Sequence, residues 1–219
     1  MECNEIGALI QKKTELNNLV ADNTHKTFGI FKETAKEINS ELNKNYPIIN
    51  CKFENRGDFE FKLSFGSDTL VFLQHSNIFE FPRLHEVMKI PYIKEDKSRS
   101  YCGMINIYNF LTDSFDYNRD LDIGYLIGRI FINKDNHYFI EGKREIGLLY
   151  TSFHKALINK DSILNIIKSS MEYVNNFDLL TPPFDEVKFS TVGEIKSNQS
   201  IKKQITGKRL GFDFKQDKE

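Results

Sequence analysis

The sharpest chemical pattern in this chain is formed by Asp122 and, nineteen positions later, the triplet Glu141-Gly142-Lys143. Residues two apart on a strand project to the same face, so Glu141 and Lys143 would stand side by side, with Asp122 at the start of the preceding strand. Two carboxylates so placed can hold Mg²⁺, and an adjacent lysine can polarise a water that attacks a phosphodiester. The same residues admit a plainer arrangement. If Lys134-Asp135-Asn136 is a three-residue loop, Asn133 pairs with His137 and Arg129 falls opposite Glu141, which makes a cross-strand ion pair. A second Glu-x-Lys, Glu60-Phe61-Lys62 with Asp58, lies where strand alternation alone accounts for it.

Over about twenty residues the Asp122 to Lys143 pattern resembles the hairpin of metal-dependent nucleases of the restriction-endonuclease type, which carry an Asp at its start and Glu-x-Lys on its second strand. The resemblance implies Mg²⁺ held by Asp122 and Glu141, a water polarised by Lys143, and nucleic acid as substrate. The chain departs from that pattern in having no proline before Asp122. No other pattern fixes a reaction. The five histidines include no pair at helical i, i+4 spacing and no HExxH, so no metal site is expected from them. Cys3, Cys51 and Cys102 are widely spaced and form no CxxC, which points to free thiols.

Gly124 and Gly128 lie inside a strand pattern and mark a bend, a bulge or a close backbone approach. A sheet curved there would open a concavity that Tyr101, Tyr108, Tyr125 and Tyr138 could line, fit for a small ligand, a peptide or stacked bases. The alternative packs these rings under helices with their hydroxyls at the rim. In the C-terminal tail, Lys202, Lys203, Lys208 and Arg209 are candidate contacts to nucleic acid or a partner protein.

Positioning these groups requires a sheet. Ala21, Thr24, Phe28, Phe31, Ala35, Ile38 and Leu42 form one stripe of a helix over 4–44, and Ile6, Leu9, Ile10, Leu16, Leu19 and Val20 form a similar stripe before it. Asp22-Asn23-Thr24 and Gly29 are the points at which one helix would become two. The period then falls to two. Asp58 to Phe65 alternates strictly and turns through Gly66-Ser67-Asp68 into Thr69 to Leu73, with further strands expected at 49–55, 77–81, 101–110, 123–133 and 137–143. Between them 82–100 reads as an excursion from the sheet, with two prolines and the charge cluster Lys94 to Lys97. Helices are expected at 145–157 and at 162–175, the second capped by Asp161 and closed by Thr181-Pro182-Pro183.

The expected fold is therefore α+β. An N-terminal helix (or two) precedes a six- to seven-stranded antiparallel meander, and C-terminal helices pack on one face, in a single domain over 1–193 followed by a basic, flexible tail over 194–219. With 30 Lys+Arg against 31 Asp+Glu the chain is nearly neutral, which excludes a uniformly basic nucleic-acid binder. No apolar run reaches the roughly 18 residues of a membrane span. The acidic, polar opening residues lack a secretory pattern, so a cytoplasmic location is expected. The function expected from all this is a non-catalytic binding or interaction protein using an exposed sheet face and the 82–100 loop, without a cofactor. It would bind a protein partner or self-associate through the N-terminal helix. A Mg²⁺-dependent nuclease and a small-molecule sensor with a pocket between sheet and helices are the alternatives.

Overall fold

The computed structural model describes residues 3–142, 153–181 and 184–193. One uninterrupted helix, α1 (Cys3–Asn45), opens the chain. Of the two alternatives, one helix or two, the structure has one, and Asn23 and Thr24, at the point where it would have divided, are engaged in hydrogen bonds. Asn23 donates from Nδ2 to the carbonyl of Lys134 at 2.8 Å and of Asn133 at 3.3 Å, and Thr24 turns its hydroxyl back onto the Val20 carbonyl at 2.7 Å. Intrahelical capture of a threonine hydroxyl leaves the helix intact. After α1 a 3-10 turn, Pro47–Ile49, ends at Asn50 in the left-handed region (φ 49°). Asn43 then ties the helix end to the first strand, its amide donating to and accepting from the Cys51 backbone.

The strands are β1 (Lys52–Asn55), β2 (Glu60–Phe65), β3 (Asp68–Gln74), β4 (Phe79–Glu80), β5 (Tyr101–Leu111), β6 (Tyr125–Asn133) and β7 (Tyr138–Gly142). They form one antiparallel sheet in the order β1-β2-β3-β5-β6-β7, with β4 continuing along the β5 edge. The expected strand at 49–55 is shortened to β1 because Pro47 starts a turn, and that at 77–81 to the two residues of β4. The loop Lys134 to Asn136 has the expected length: Asn133 N–H bonds the His137 carbonyl, and Asn136 takes φ 58°. A register shift between Ile107 and Tyr108 lies opposite Gly128, where a bulge or bend was expected, and an ideal Cβ on Gly124 would fall 2.2 Å from the Phe110 ring.

One sheet face is buried under α1 and α4 (Lys160–Asn175). Alternation along β2, β3, β5 and β6 brings Phe61, Leu63, Leu70, Phe72, Ile105, Ile107, Ile130 and Ile132 inward, where they meet Phe28, Phe31 and Ile38 of α1 and Ile163, Ile166 and Ile167 of α4. Helix α4 begins two residues earlier than expected. Its cap is Asn159 rather than Asp161: the Asn159 side chain accepts the Ser162 N–H at 2.8 Å while the Ser162 hydroxyl accepts the Asn159 N–H at 2.8 Å. Asp161 instead lies in the first turn, where its carboxylate meets the positive end of the helix.

Most of the helix expected at 145–157 lies outside the described residues, but its last part is extended. Leu157 bridges His137, and Tyr138 N–H bonds the Ala156 carbonyl. Helix α4 ends at Asn175, before Thr181; Pro182, Pro183 and the tail over 194–219 lie outside the described residues, as does Lys143. The short α5 (Phe184–Val187) follows.

The second sheet face is not simply open. The 82–100 excursion folds back over one end of it as a 3-10 turn (Glu86–Lys89), α2 (Pro91–Glu95) and another 3-10 turn (Lys97–Ser100). Val87 and Ile93 there pack with Phe81, Cys102, Met104, Phe131 and Phe153 into a second apolar cluster. At the other end α3 (Thr112–Asp116) sets Phe115 over the face, with the Lys62 ammonium 3.4 Å from its ring centre. Burial holds the Lys62 pKa below the usual lysine value, and the ring offsets part of that desolvation. Among the described residues no helix is long and apolar enough to cross a membrane.

Candidate functional site

Between the excursion and α3 a strip of the second face stays accessible. The registers align one row across it, Glu60, Leu73, Asn106, Arg129 and Glu141, each directly opposite the next. Arg129 and Glu141 are thus the cross-strand pair that the three-residue loop implies. Arg129 Nε donates to Glu141 Oε2 at 2.7 Å and Nη2 bonds the same oxygen. The two side chains are 40% and 43% exposed, so opening the pair costs about 1 kcal/mol or less. Beside them Asn106 Oδ1 is buried without a hydrogen-bond partner.

The Arg129–Glu141 pair forms the polar end of a cleft of about 330 Å³. Most of its other lining is apolar, Phe79, Phe81 and Pro82 from β4 and the start of the excursion, Met104 from β5 and Phe131 from β6, with Glu80 of β4 between the two phenylalanines. Phe81 and Phe131 pack with ring centres 4.9 Å apart. His85 closes one side. Its Nδ1 accepts the Val87 N–H at 3.2 Å, which leaves Nε2 to carry the proton of the neutral ring. A second hollow of about 270 Å³ touches the same ion pair from the side of Leu126, Gly128 and Gly142.

The β6–β7 turn fixes the excursion that supplies these walls. Tyr92 donates its hydroxyl to Asp135 at 3.0 Å and stacks on His137, Arg99 bonds Asp135 at 3.0 Å, and Lys134 pairs with Asp96. Burial pushes the Tyr92 hydroxyl up to about 12. The hydrogen bond from Lys134, with that from Ser98, holds the Asp96 carboxyl well below the usual carboxylate range. A depressed carboxylate stabilises the fold at pH values above its unfolded value, near 3.9, and that contribution is lost as pH falls toward the folded value. Urea midpoints measured from pH 6 down to pH 2.5 should therefore fall more steeply for the native chain than for Asp96→Asn. The difference should be no more than about 1 kcal/mol, because the pair is half open. Parallel curves would remove the link.

The residues singled out by the nuclease-like pattern have separate partners. The Asp122 side chain is covered although the residue as a whole is only half-buried; it accepts the Ser114 hydroxyl at 2.6 Å and lies 3.9 Å from Arg119, closing the α3 loop. Glu141 faces Arg129, four residues inside β6 and on the order of 13 Å along the strand from Tyr125. Among the described residues no three His, Cys, Asp or Glu side chains are grouped to hold a metal ion.

The four tyrosines do not share one floor. Tyr138 is buried in the helix-side core with Tyr125 packed at its edge, and Tyr101 alternates onto that same side, bonded to Glu80. Tyr108 alone faces the second surface, in the row of Lys62, Val71 and Leu126. Lys202, Lys203, Lys208 and Arg209 lie outside the described residues.

Sequence reasoning missed the aromatic wall because its members come from three separate segments with no common period. The one local signal is Phe79-Glu80-Phe81-Pro82, two rings two apart and then a chain-turning proline. The site belongs to an α+β protein with an open antiparallel sheet. No protein-family model matches the chain, and no curated protein or solved structure is significantly similar to it.

Proposed function

We propose that the chain is a non-catalytic binding protein of the cytoplasm, whose ligand seat is the cleft between the open strip of the second sheet face and the 82–100 excursion. The observation that carries this reading is the union, in one cleft of about 330 Å³, of an aromatic wall with a half-exposed ion pair. That size and lining are those of small-ligand sites, mostly apolar with a few placed polar groups. An apolar group enters against Phe79, Phe81 and Phe131, while an acidic end exchanges Glu141 for itself on Arg129. The ion pair is cheap to open, and the guanidinium accepts a second oxyanion in the same planar geometry. Two of the three free thiols, Cys51 and Cys102, are buried in apolar surroundings, which suits a reducing compartment.

The test uses 8-anilinonaphthalene-1-sulfonate, an aromatic anion with the same two features. Its fluorescence should rise and shift to the blue on titration with the full chain. Arg129→Ala and Phe79→Ser should each weaken binding at least about fivefold, a loss of about 1 kcal/mol, while Ile48→Ser, at a fully exposed position far along the chain, leaves it unchanged. Binding that ignores both substitutions would place the probe elsewhere and sink the proposal.

A further inference from the structure

The first turns of α1 leave the sheet behind. Residues 3–15 are all exposed, and among them Ile6, Leu9 and Ile10 are 40%, 60% and 61% accessible. At 100° per residue these three, with Leu16, continue the stripe that further along carries Val20, Phe28, Phe31, Ala35 and Ile38 into the core, interrupted by Lys13, which lies on the same line between Leu9 and Leu16. The core-packing face therefore runs on past the sheet edge with nothing of the described residues over it. An isolated helical stretch of this length is marginal in water, and a helix is normally held by burial of its apolar face.

We propose that a second copy of this chain covers that face, its α1 running antiparallel to the first and crossing it near Gly7 and Ala8. Direction follows from the stripe itself. From Val20 onward the same face is closed by the chain's own sheet, so a parallel partner would run into β5 and β6, whereas an antiparallel partner leaves the stripe before reaching them. Register follows from charge. Glu5 and Lys12 are seven residues apart on one flank of the stripe, and in an antiparallel pair each flank meets its own copy. Crossing near residues 7 and 8 sets Glu5 of each chain against Lys12 of the other, twice, and Ile6 against Leu9, twice. Sliding the crossing toward Lys12 would oppose the two Lys12 ammonium groups. At 1.5 Å per residue this pairing holds the two Val20 positions about 36 Å apart, so the globular bodies do not collide.

Sedimentation of the full chain in reductant, from 5 to 500 µM, should show a concentration-dependent dimer. Leu9→Glu should leave monomer throughout, with unchanged near-ultraviolet circular dichroism because residue 9 touches nothing in the core. Glu5→Lys and Lys12→Glu should each weaken association about tenfold, and their combination should restore it. Mild oxidation should not join Cys3 to Cys3, whose Cα atoms the antiparallel crossing keeps about 15 Å apart. A chain that is monomeric at 500 µM, a dimer that survives Leu9→Glu, single charge reversals without effect, or rapid Cys3 cross-linking would each overturn the proposal.

Discussion

Phe72→Ala is expected to lower the unfolding free energy by about 3–5 kcal/mol, a large share of the roughly 5–15 kcal/mol available to a domain. Phe72 is fully buried at the point where β2, β3 and β5 meet α1. Its ring stacks on Phe61 with centres 4.5 Å apart and planes 5° from parallel, and Phe31 of α1 lies 5.9 Å away. Truncation removes the transfer energy of the ring and leaves a void that a hydrogen-bonded central strand cannot close. Urea unfolding followed by circular dichroism would give the loss directly. Phe53→Ala, on edge strand β1 where the ring is only half buried, should cost distinctly less. Equal losses at the two positions, or a loss under about 1.5 kcal/mol at Phe72, would show that the core is not centred on this ring stack.

The alternation that places Phe61 and Leu63 inside was legible from the residues alone, and so was the loop that sets Arg129 against Glu141, because both depend on local period and turn chemistry; Leu70 to Leu73 is apolar throughout, so the residues alone do not say that Phe72 rather than Leu73 faces the core. Other features depend on contacts that no local pattern encodes. Asn23 and Thr24 look like a helix break until the β6–β7 turn supplies acceptors for Asn23. Asp161 and Asn159 are both good caps, and the choice falls to Asn159 because Ser162 completes a reciprocal pair with it. Tyr101 and Tyr108 are an odd number of residues apart on one strand and so face opposite ways, which the sequence does contain. The placement of Tyr125 against them passes through the register shift at Ile107 and Tyr108, which it does not spell out. The cleft is less legible still, since an excursion must fold back over a sheet before Phe81 and Phe131 meet.

That excursion, the sheet and α1 are coupled at Gly103, and Gly103→Ala is the second change expected to have a large effect. An ideal Cβ there would fall 2.0 Å from Thr24 Oγ1, 2.7 Å from its Cβ and 2.8 Å from its Cγ2. Thr24 cannot turn away: it is buried, its hydroxyl is bonded to Val20, and its neighbour Asn23 is anchored to the β6–β7 turn. The helix must lift from β5 or the strand must sink, at a cost of about 3 kcal/mol. Thr24→Ala removes two of the three colliding atoms, so in the Gly103→Ala background it should recover at least about 1 kcal/mol relative to additivity, measured as a double-mutant cycle. If the strand sinks, the effect crosses the sheet, because Cys102 and Met104 flank Gly103 and project into the second-face cluster and the cleft. Gly103→Ala should then weaken the anilinonaphthalene sulfonate probe although it lies on the opposite face, and Thr24→Ala should restore part of that binding. A loss below about 1 kcal/mol with no coupling to Thr24 would mean that helix and strand are not in contact at this crossing.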